Sequence, residues 1–110
     1  MQEVLRLALI GCGRISSKHI EAVLGNKDRV RLVACCDPIQ DRAQRRAQEY
    51  GASLSSGSDV TVYADYHEML AKEEPDICAI ATESGYHPRI AIDCLEAGAH
   101  VICEKPMALS

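Results

Sequence analysis

The chain has 110 residues with 12 basic and 16 acidic side chains, so its formal net charge is −4 and a single domain with one core is expected. The charges form no basic stripe of the kind that binds nucleic acid, and no apolar run approaches the roughly 20 residues that cross a bilayer. Because Glu3 and Arg6 interrupt the apolar start, it does not resemble a secretory signal, and we expect a cytoplasmic protein.

The first predicted unit is a buried strand over residues 5–10 that runs into two glycines and then a helix over about 14–24. Gly11 and Gly13 allow a sharp turn, and the free N–H groups of the new helix offer a site for pyrophosphate. Ser16 stands where the dinucleotide-binding fingerprint has Gly or Ala, so the motif is weak when taken alone.

Each of the first two predicted helices has an apolar face and a glycine at its end. The first ends at Gly25, and its face consists of Ile15, His19, Ala22 and Val23. A second buried strand over 30–36 ends before Asp37. The helix over 39–50 ends before Gly51, and its apolar stripe consists of Ala43, Ala47 and Tyr50.

The second half of the chain repeats the alternation of strand and helix. Its predicted elements are a strand at 60–63, a helix after Asp65, a strand at 77–81, a helix from Pro88 and a strand at 100–103. Asp65 and Glu68 have the spacing of a capping box. The helix from Pro88 ends at Gly98, and its inner face consists of Ala91, Cys94 and Leu95.

This alternation, with connections of a few residues, predicts an α/β fold: a doubly wound, mostly parallel sheet of the Rossmann type with helices on both faces. In such sheets ligands bind outside the carboxyl ends of the strands, where the strand order reverses. The candidate positions are therefore those that directly follow strands, namely 11–16, 37, 82–87 and 104–106.

Asp37 follows the second strand, 21 positions after Ser16. There a carboxylate can accept hydrogen bonds from both hydroxyls of an adenosine ribose, which favours NAD over NADP because a 2′-phosphate would meet a like charge. Arg42, one turn into the next helix, could partly compensate if Asp37 swings away. The alternative is that Asp37 only caps the following helix.

Two further segments follow strands. Thr82, Ser84 and His87 can line a dinucleotide cleft, or they can form an ordinary polar loop that caps the next helix. Lys105 can hydrogen-bond a reacting hydroxyl and move a proton during hydride transfer, with Glu104 orienting it or the nicotinamide ribose. Alternatively, the triplet Glu104-Lys-Pro is a solvated turn.

The six cysteines, at positions 12, 35, 36, 78, 94 and 103, lie mostly in apolar segments. Free, buried thiols are expected, and Cys35 and Cys36 on one strand would face opposite sides of the sheet. No pair has the Cys-x-x-Cys spacing of a zinc or redox motif, so we expect no metal site.

Together these residues resemble the N-terminal domain of the Gfo/Idh/MocA oxidoreductases over essentially the whole chain. The matching segments are Gly11 to Ser16, Asp37, Thr82 to His87, Ala97-Gly98 with the strand at 100–103, and Glu104 to Leu109. The resemblance implies NAD as cofactor and Lys105 as the catalytic residue beside nicotinamide and substrate. The cofactor-binding residues that it implies are Gly11, Gly13, Arg14, Ile15, Asp37, Thr82, Ser84, His87, Glu104 and Lys105.

The chain departs from the family pattern in one loop and in its length. Glu83-Ser84 stands where the family commonly has Pro-Asn. Family members continue into a C-terminal α/β substrate domain that this chain lacks. The resemblance therefore implies that residues 1–110 are the dinucleotide-binding Rossmann domain of a longer, homo-oligomeric dehydrogenase, inactive alone.

The resemblance also implies a substrate class. The parent enzyme would act on a sugar or nucleotide-sugar hydroxyl, and the pattern looks most like enzymes that oxidise nucleotide-linked amino-sugar uronates at carbon 3. A non-catalytic dinucleotide-binding or redox-sensing module is the alternative, since it would share the glycine turn. About 200 further residues in the gene would favour the enzyme.

Overall fold

The computed structural model describes residues 4–13, 16–54, 59–81 and 88–103. Strands and helices alternate strictly within these ranges, as the sequence predicts. In chain order they are β1 (Leu5–Ile10), α1 (Ser17–Gly25), β2 (Val30–Cys36), α2 (Gln40–Ala52), β3 (Thr61–Tyr63), α3 (Tyr66–Glu73), β4 (Ile77–Ile80), α4 (Pro88–Glu96) and β5 (His100–Cys103).

The five strands of the described ranges form one parallel sheet in the order β3-β2-β1-β4-β5. The chain moves outward from β1 to β3 and then returns to β4 on the other side of β1, so the strand order reverses between β1 and β4. The predicted doubly wound fold is confirmed. All the strands end at the same edge, where such a sheet binds ligands.

Two hydrophobic cores cover the two faces of the sheet. In one, α1 and α2 pack on the sheet through residues that include Ile20, Val23 and Tyr50. In the other, α3 and α4 pack on the opposite face, with Met69 and Cys94 fully buried. Because both faces are covered, the central strands are apolar at successive positions. Cys35 belongs to the first core and Cys36 to the second, which confirms that they face opposite sides.

The strands β1 and β2 change register where β2 has one extra residue. Leu7 pairs with Leu32, but Ala8 pairs with Ala34, so Val33 is the additional residue of a bulge. The phenol of Tyr50 lies at this point, where its oxygen accepts a hydrogen bond from the Leu32 N–H at 3.3 Å. The buried tyrosine therefore satisfies a backbone donor where the pairing is irregular.

We expect Tyr50→Phe to lower the free energy of unfolding by about 1–3 kcal/mol, since the Leu32 N–H loses a partner while the aromatic packing is kept. Urea denaturation followed by circular dichroism measures this change. The slope of the unfolding free energy against urea concentration should stay the same, because the surface exposed on unfolding is unchanged. Equal stability of the two proteins would mean that the hydrogen bond contributes nothing.

The ends of α3 and α4 agree with the sequence, whereas α1 begins at Ser17 rather than near residue 14 and α2 ends later than predicted. Asp65 precedes α3, and its side chain accepts a hydrogen bond from the His67 N–H at 2.9 Å, as expected of the first residue of a capping box. Gly98 ends α4 with φ of 92°, a conformation that favours glycine. Gly51 does not end α2, because the helix continues through it to Ala52, so that prediction was wrong.

Two predicted helix faces need correction. Ala91 and Cys94 of α4 are buried as expected, but Leu95 is 58% exposed. A helix turns by about 100° per residue, which places Leu95 beyond the strip that touches the sheet. Ala22 of α1 is exposed for the same reason, and Ile20 takes its place in the core. No helix in the described part of the chain is long and apolar enough to span a membrane.

Candidate functional site

The residues that directly follow β1, β2 and β4 lie at the same edge of the sheet. The Gly11 N–H donates to the Cys36 carbonyl at 2.8 Å, and the Ala81 N–H donates to the Ile10 carbonyl at 2.8 Å. On the far side of β2, the Asp37 N–H donates to the Tyr63 carbonyl at 3.0 Å. The ladders thus continue one residue beyond the strands and fix the start of each loop.

The glycine turn begins at Gly11, whose φ of 91° lies in the region that favours glycine. Gly11 and Gly13 are both buried. Ser16, the departure from the fingerprint, is fully buried, and its hydroxyl donates to the Gly13 carbonyl at 2.5 Å. A serine is therefore suited to this position, because it holds the second glycine to the start of α1.

The carboxylate of Asp37 lies against the glycine turn. Its Oδ2 accepts a hydrogen bond from the Cys12 N–H at 2.8 Å, and its Oδ1 accepts one from the Ile39 N–H at 2.8 Å. The bond to Ile39 supports the start of α2, as the capping alternative expects. The bond to Cys12 places the same carboxylate beside the turn, as the ribose-binding hypothesis expects.

Asp37 also retains capacity for a ligand. A carboxylate has about four acceptor sites, and the two backbone N–H groups occupy two of them. The residue is only 7% exposed, so hydrogen bonds made there are shielded from water. A vicinal diol fits this arrangement, and capping and ribose binding are compatible rather than exclusive.

The thiol of Cys12, between the two glycines, is held in the protonated form. A hydrogen bond with Cys35 raises the pKa of Cys12, and burial raises it further. Burial also raises the pKa of Cys36 to about 12. These groups are therefore packing atoms at neutral pH and not nucleophiles. All six cysteines are free thiols, five of them buried, as the sequence predicts.

The structure adds Arg46 to this region. It is 9% exposed, its Nε donates to the Cys12 carbonyl at 3.4 Å, and its guanidinium pairs with Glu49. The predicted stripe of α2 included Ala47 instead, which is only half-buried. The signal was present in the spacing, because Ala43, Arg46 and Tyr50 follow the i, i+3, i+7 pattern of one helix face.

The other predicted site residues lie outside the described residues. They are Arg14, Ile15, Thr82, Ser84, His87, Glu104 and Lys105. The structure does describe the points at which two of these segments start. Ala81 follows β4, and Cys103 ends the neighbouring parallel strand β5, at the edge that also carries Gly11 and Asp37.

Comparison with known proteins decides the family. Residues 5–110 match the profile of the Gfo/Idh/MocA oxidoreductase family, NAD-binding Rossmann fold. The chain belongs to this family. Its relatives include D-glucoside 3-dehydrogenase of Escherichia coli, which is 33% identical over 106 residues, covering 96% of this chain and 28% of the relative.

Solved structures of the Gfo/Idh/MocA family agree with this assignment. The WlbA dehydrogenase from Chromobacterium violaceum, in complex with NADH and UDP-GlcNAcA, has a TM-score of 0.82 at 36% identity, over 98% of this chain and 29% of that protein. WlbA from Bordetella pertussis, with the same ligands, has a TM-score of 0.81 at 38% identity, over 96% of this chain and 30% of that protein. The chain thus spans less than a third of these relatives and is an oxidoreductase NAD-binding domain.

Proposed function

We propose that this chain is the cofactor-binding half of a dehydrogenase that transfers a hydride between NAD and a hydroxyl of a sugar or nucleotide sugar. NAD, when bound, accepts or supplies that hydride. The observation that carries the proposal is the hydrogen bond between the Asp37 carboxylate and the Cys12 N–H, because it joins a ribose acceptor to the phosphate-binding turn.

The position of Asp37 supports NAD rather than NADP. Its carboxylate is buried and already fixed by two backbone N–H groups, so it cannot move away from a 2′-phosphate without losing both bonds. Such a phosphate would bring a second negative charge against it in a site shielded from water. Arg42 could compensate for the charge of a 2′-phosphate only if Asp37 swung away, and that movement would break both of these hydrogen bonds.

Fluorescence titration of the 110-residue chain with NADH and NADPH tests the proposal. We expect NADH to bind at least about tenfold more tightly, because a hydrogen bond to a charged group contributes about 1.5–3 kcal/mol and NADPH loses it. Titration with NADH in excess UDP serves as a control for binding through the phosphates alone. Equal or tighter binding of NADPH would overturn the role given to Asp37.

For the chemical step we propose Lys105, which follows β5 by two positions, as the group that moves the hydroxyl proton. Glu104 would orient it, and Thr82, Ser84 and His87 would flank the cofactor with Arg14 and Ile15. The membership of the chain in the family supports these roles, since its match includes all of these positions.

The identities of 36% and 38% to the two WlbA proteins support a nucleotide sugar as the substrate of the whole protein. Residues 1–110 would then be its dinucleotide-binding domain, joined to a separate substrate domain.

Exposed Ile92 and Leu95, on adjacent turns of α4, offer a surface for assembly into a homo-oligomer. The free thiols suit a reducing compartment such as the cytoplasm.

A further inference from the structure

Three side chains hold the glycine turn from below. The buried polar or charged residues of the described ranges are Ser16, Asp37 and Arg46. Each one binds the backbone of Cys12 or Gly13: Ser16 at the Gly13 carbonyl, Asp37 at the Cys12 N–H and Arg46 at the Cys12 carbonyl. These three buried side chains thus all bind the backbone of two residues of one loop.

Burying a guanidinium costs free energy unless it is paired, and replacing a buried ion pair by apolar residues often leaves a protein as stable or more stable. Arg46 pairs with Glu49, which is itself 43% exposed, so the pair is only partly shielded. Stability alone therefore gives a weak reason for this arginine. Its contact with the glycine turn gives a functional one.

The geometry of the peptide bond explains the effect of the contact between Arg46 and the Cys12 carbonyl. The Cys12 carbonyl and the Gly13 N–H belong to one planar, trans peptide, so they point in opposite directions. Arg46 fixes the carbonyl toward α2, and the Gly13 N–H consequently points away from α2. Glycine on one side leaves this peptide free to rotate in the absence of the contact. A rotated peptide would present an oxygen where an anion needs an N–H.

The charges of Asp37 and Arg46 both hold the backbone of Cys12 in the same orientation. The negative Asp37 accepts from the Cys12 N–H, and the positive Arg46 donates to the Cys12 carbonyl. Both charges are close enough to act on the Cys12 thiol, with Asp37 raising its pKa and Arg46 lowering it. The distance of 3.4 Å from Nε is long for a hydrogen bond, but a charged donor strengthens it.

We propose that Arg46 is a positioning residue for the cofactor's pyrophosphate: it locks the Cys12–Gly13 peptide in the orientation that presents N–H groups, not a carbonyl oxygen, to the phosphates. This inference rests on the proposed NAD site. Arg46 acts through the backbone of the turn, from beneath it. We therefore expect Arg46 to affect the affinity for ligands that contain the pyrophosphate and not the affinity for adenosine.

The experiment compares Arg46→Met with Arg45→Met, an exposed neighbour on α2 that loses the same charge. Binding of NADH, ADP-ribose and adenosine to the 110-residue chain is measured by fluorescence and by competition. We expect Arg46→Met to weaken NADH and ADP-ribose about tenfold and adenosine by less than about twofold, while Arg45→Met changes none of them by more than about twofold. Arg46→Lys, which keeps a charged donor, should recover most of the affinity.

A readout without ligand accompanies the titrations. Amide exchange measured by NMR should be faster at Cys12 in Arg46→Met than in Arg45→Met, because the hydrogen bond from the Cys12 N–H to Asp37 opens more often when Arg46 no longer holds the turn. If Arg46→Met fails to fold, Arg46→Leu, which also lacks a donor, takes its place. Equal losses for ADP-ribose and adenosine, or unchanged NADH binding in the folded variant, would overturn the inference. Failure of the unmodified chain to bind NADH would instead overturn the proposed function.

Discussion

Asp37→Ala is expected to weaken NADH binding by about tenfold to a hundredfold and to abolish most of the preference for NADH over NADPH. The loss in affinity follows from the ribose hydrogen bonds to a charged acceptor, at about 1.5–3 kcal/mol. The loss in preference follows because the negative charge that repels a 2′-phosphate is gone. Parallel fluorescence titrations of wild type and variant with both cofactors measure the two effects.

The same substitution also affects the fold of the site. The N–H groups of Cys12 and Ile39 both donate to the Asp37 carboxylate, so alanine leaves two donors without that partner. We expect the free energy of unfolding to fall by about 1–3 kcal/mol. Asp37→Asn keeps one acceptor oxygen and should recover part of this stability, while it still lacks the charge that discriminates against NADPH.

Asp41→Asn is the matched control, because Asp41 is exposed in the first turn of α2 and loses the same charge four positions away. It should change neither affinity by more than about twofold, since exposed charges are screened. An Asp37→Ala chain that is folded and still prefers NADH as strongly as wild type would show that another group sets the preference.

The strands were predictable from the sequence to a degree that the helix faces were not. The bounds of β1, β2 and β5 agree with the predicted ranges, because each is a short apolar run and the first two stop at Gly11 and Asp37. The inner face of α4 depends instead on which neighbours it meets. Leu95 has the correct spacing for a core residue, but α4 packs on the sheet only through the strip containing Ala91 and Cys94.

The candidate site was predictable as a set of positions but not as a set of contacts. Gly11 and Asp37 meet because both follow central parallel strands, which is a property of the topology. The sequence could not show that Asp37 would cap α2 and bind Cys12 at once, since this depends on the separation of two loops. Arg46 was missed because a charged residue on a helix is normally assigned to its solvent face.

In our proposal the glycine turn and Asp37 bind the cofactor, and hydride transfer additionally requires a group that exchanges a proton with the substrate hydroxyl. Lys105 is our candidate, since in sequence it comes two positions after Cys103, the residue at which β5 ends. A lysine amine can accept a proton from a hydroxyl and return it.

Lys105→Met is accordingly expected to lower kcat by about a hundredfold to ten-thousandfold, the usual contribution of a general acid or base, in a protein that joins this domain to a substrate-binding half. The dissociation constant for NADH should change by less than about threefold, because the ribose and pyrophosphate contacts lie elsewhere. Lys72→Met, at an exposed position on α3, is the control and should leave both quantities unchanged. Turnover near the wild-type rate in Lys105→Met would leave the lysine a purely structural part of the segment after β5.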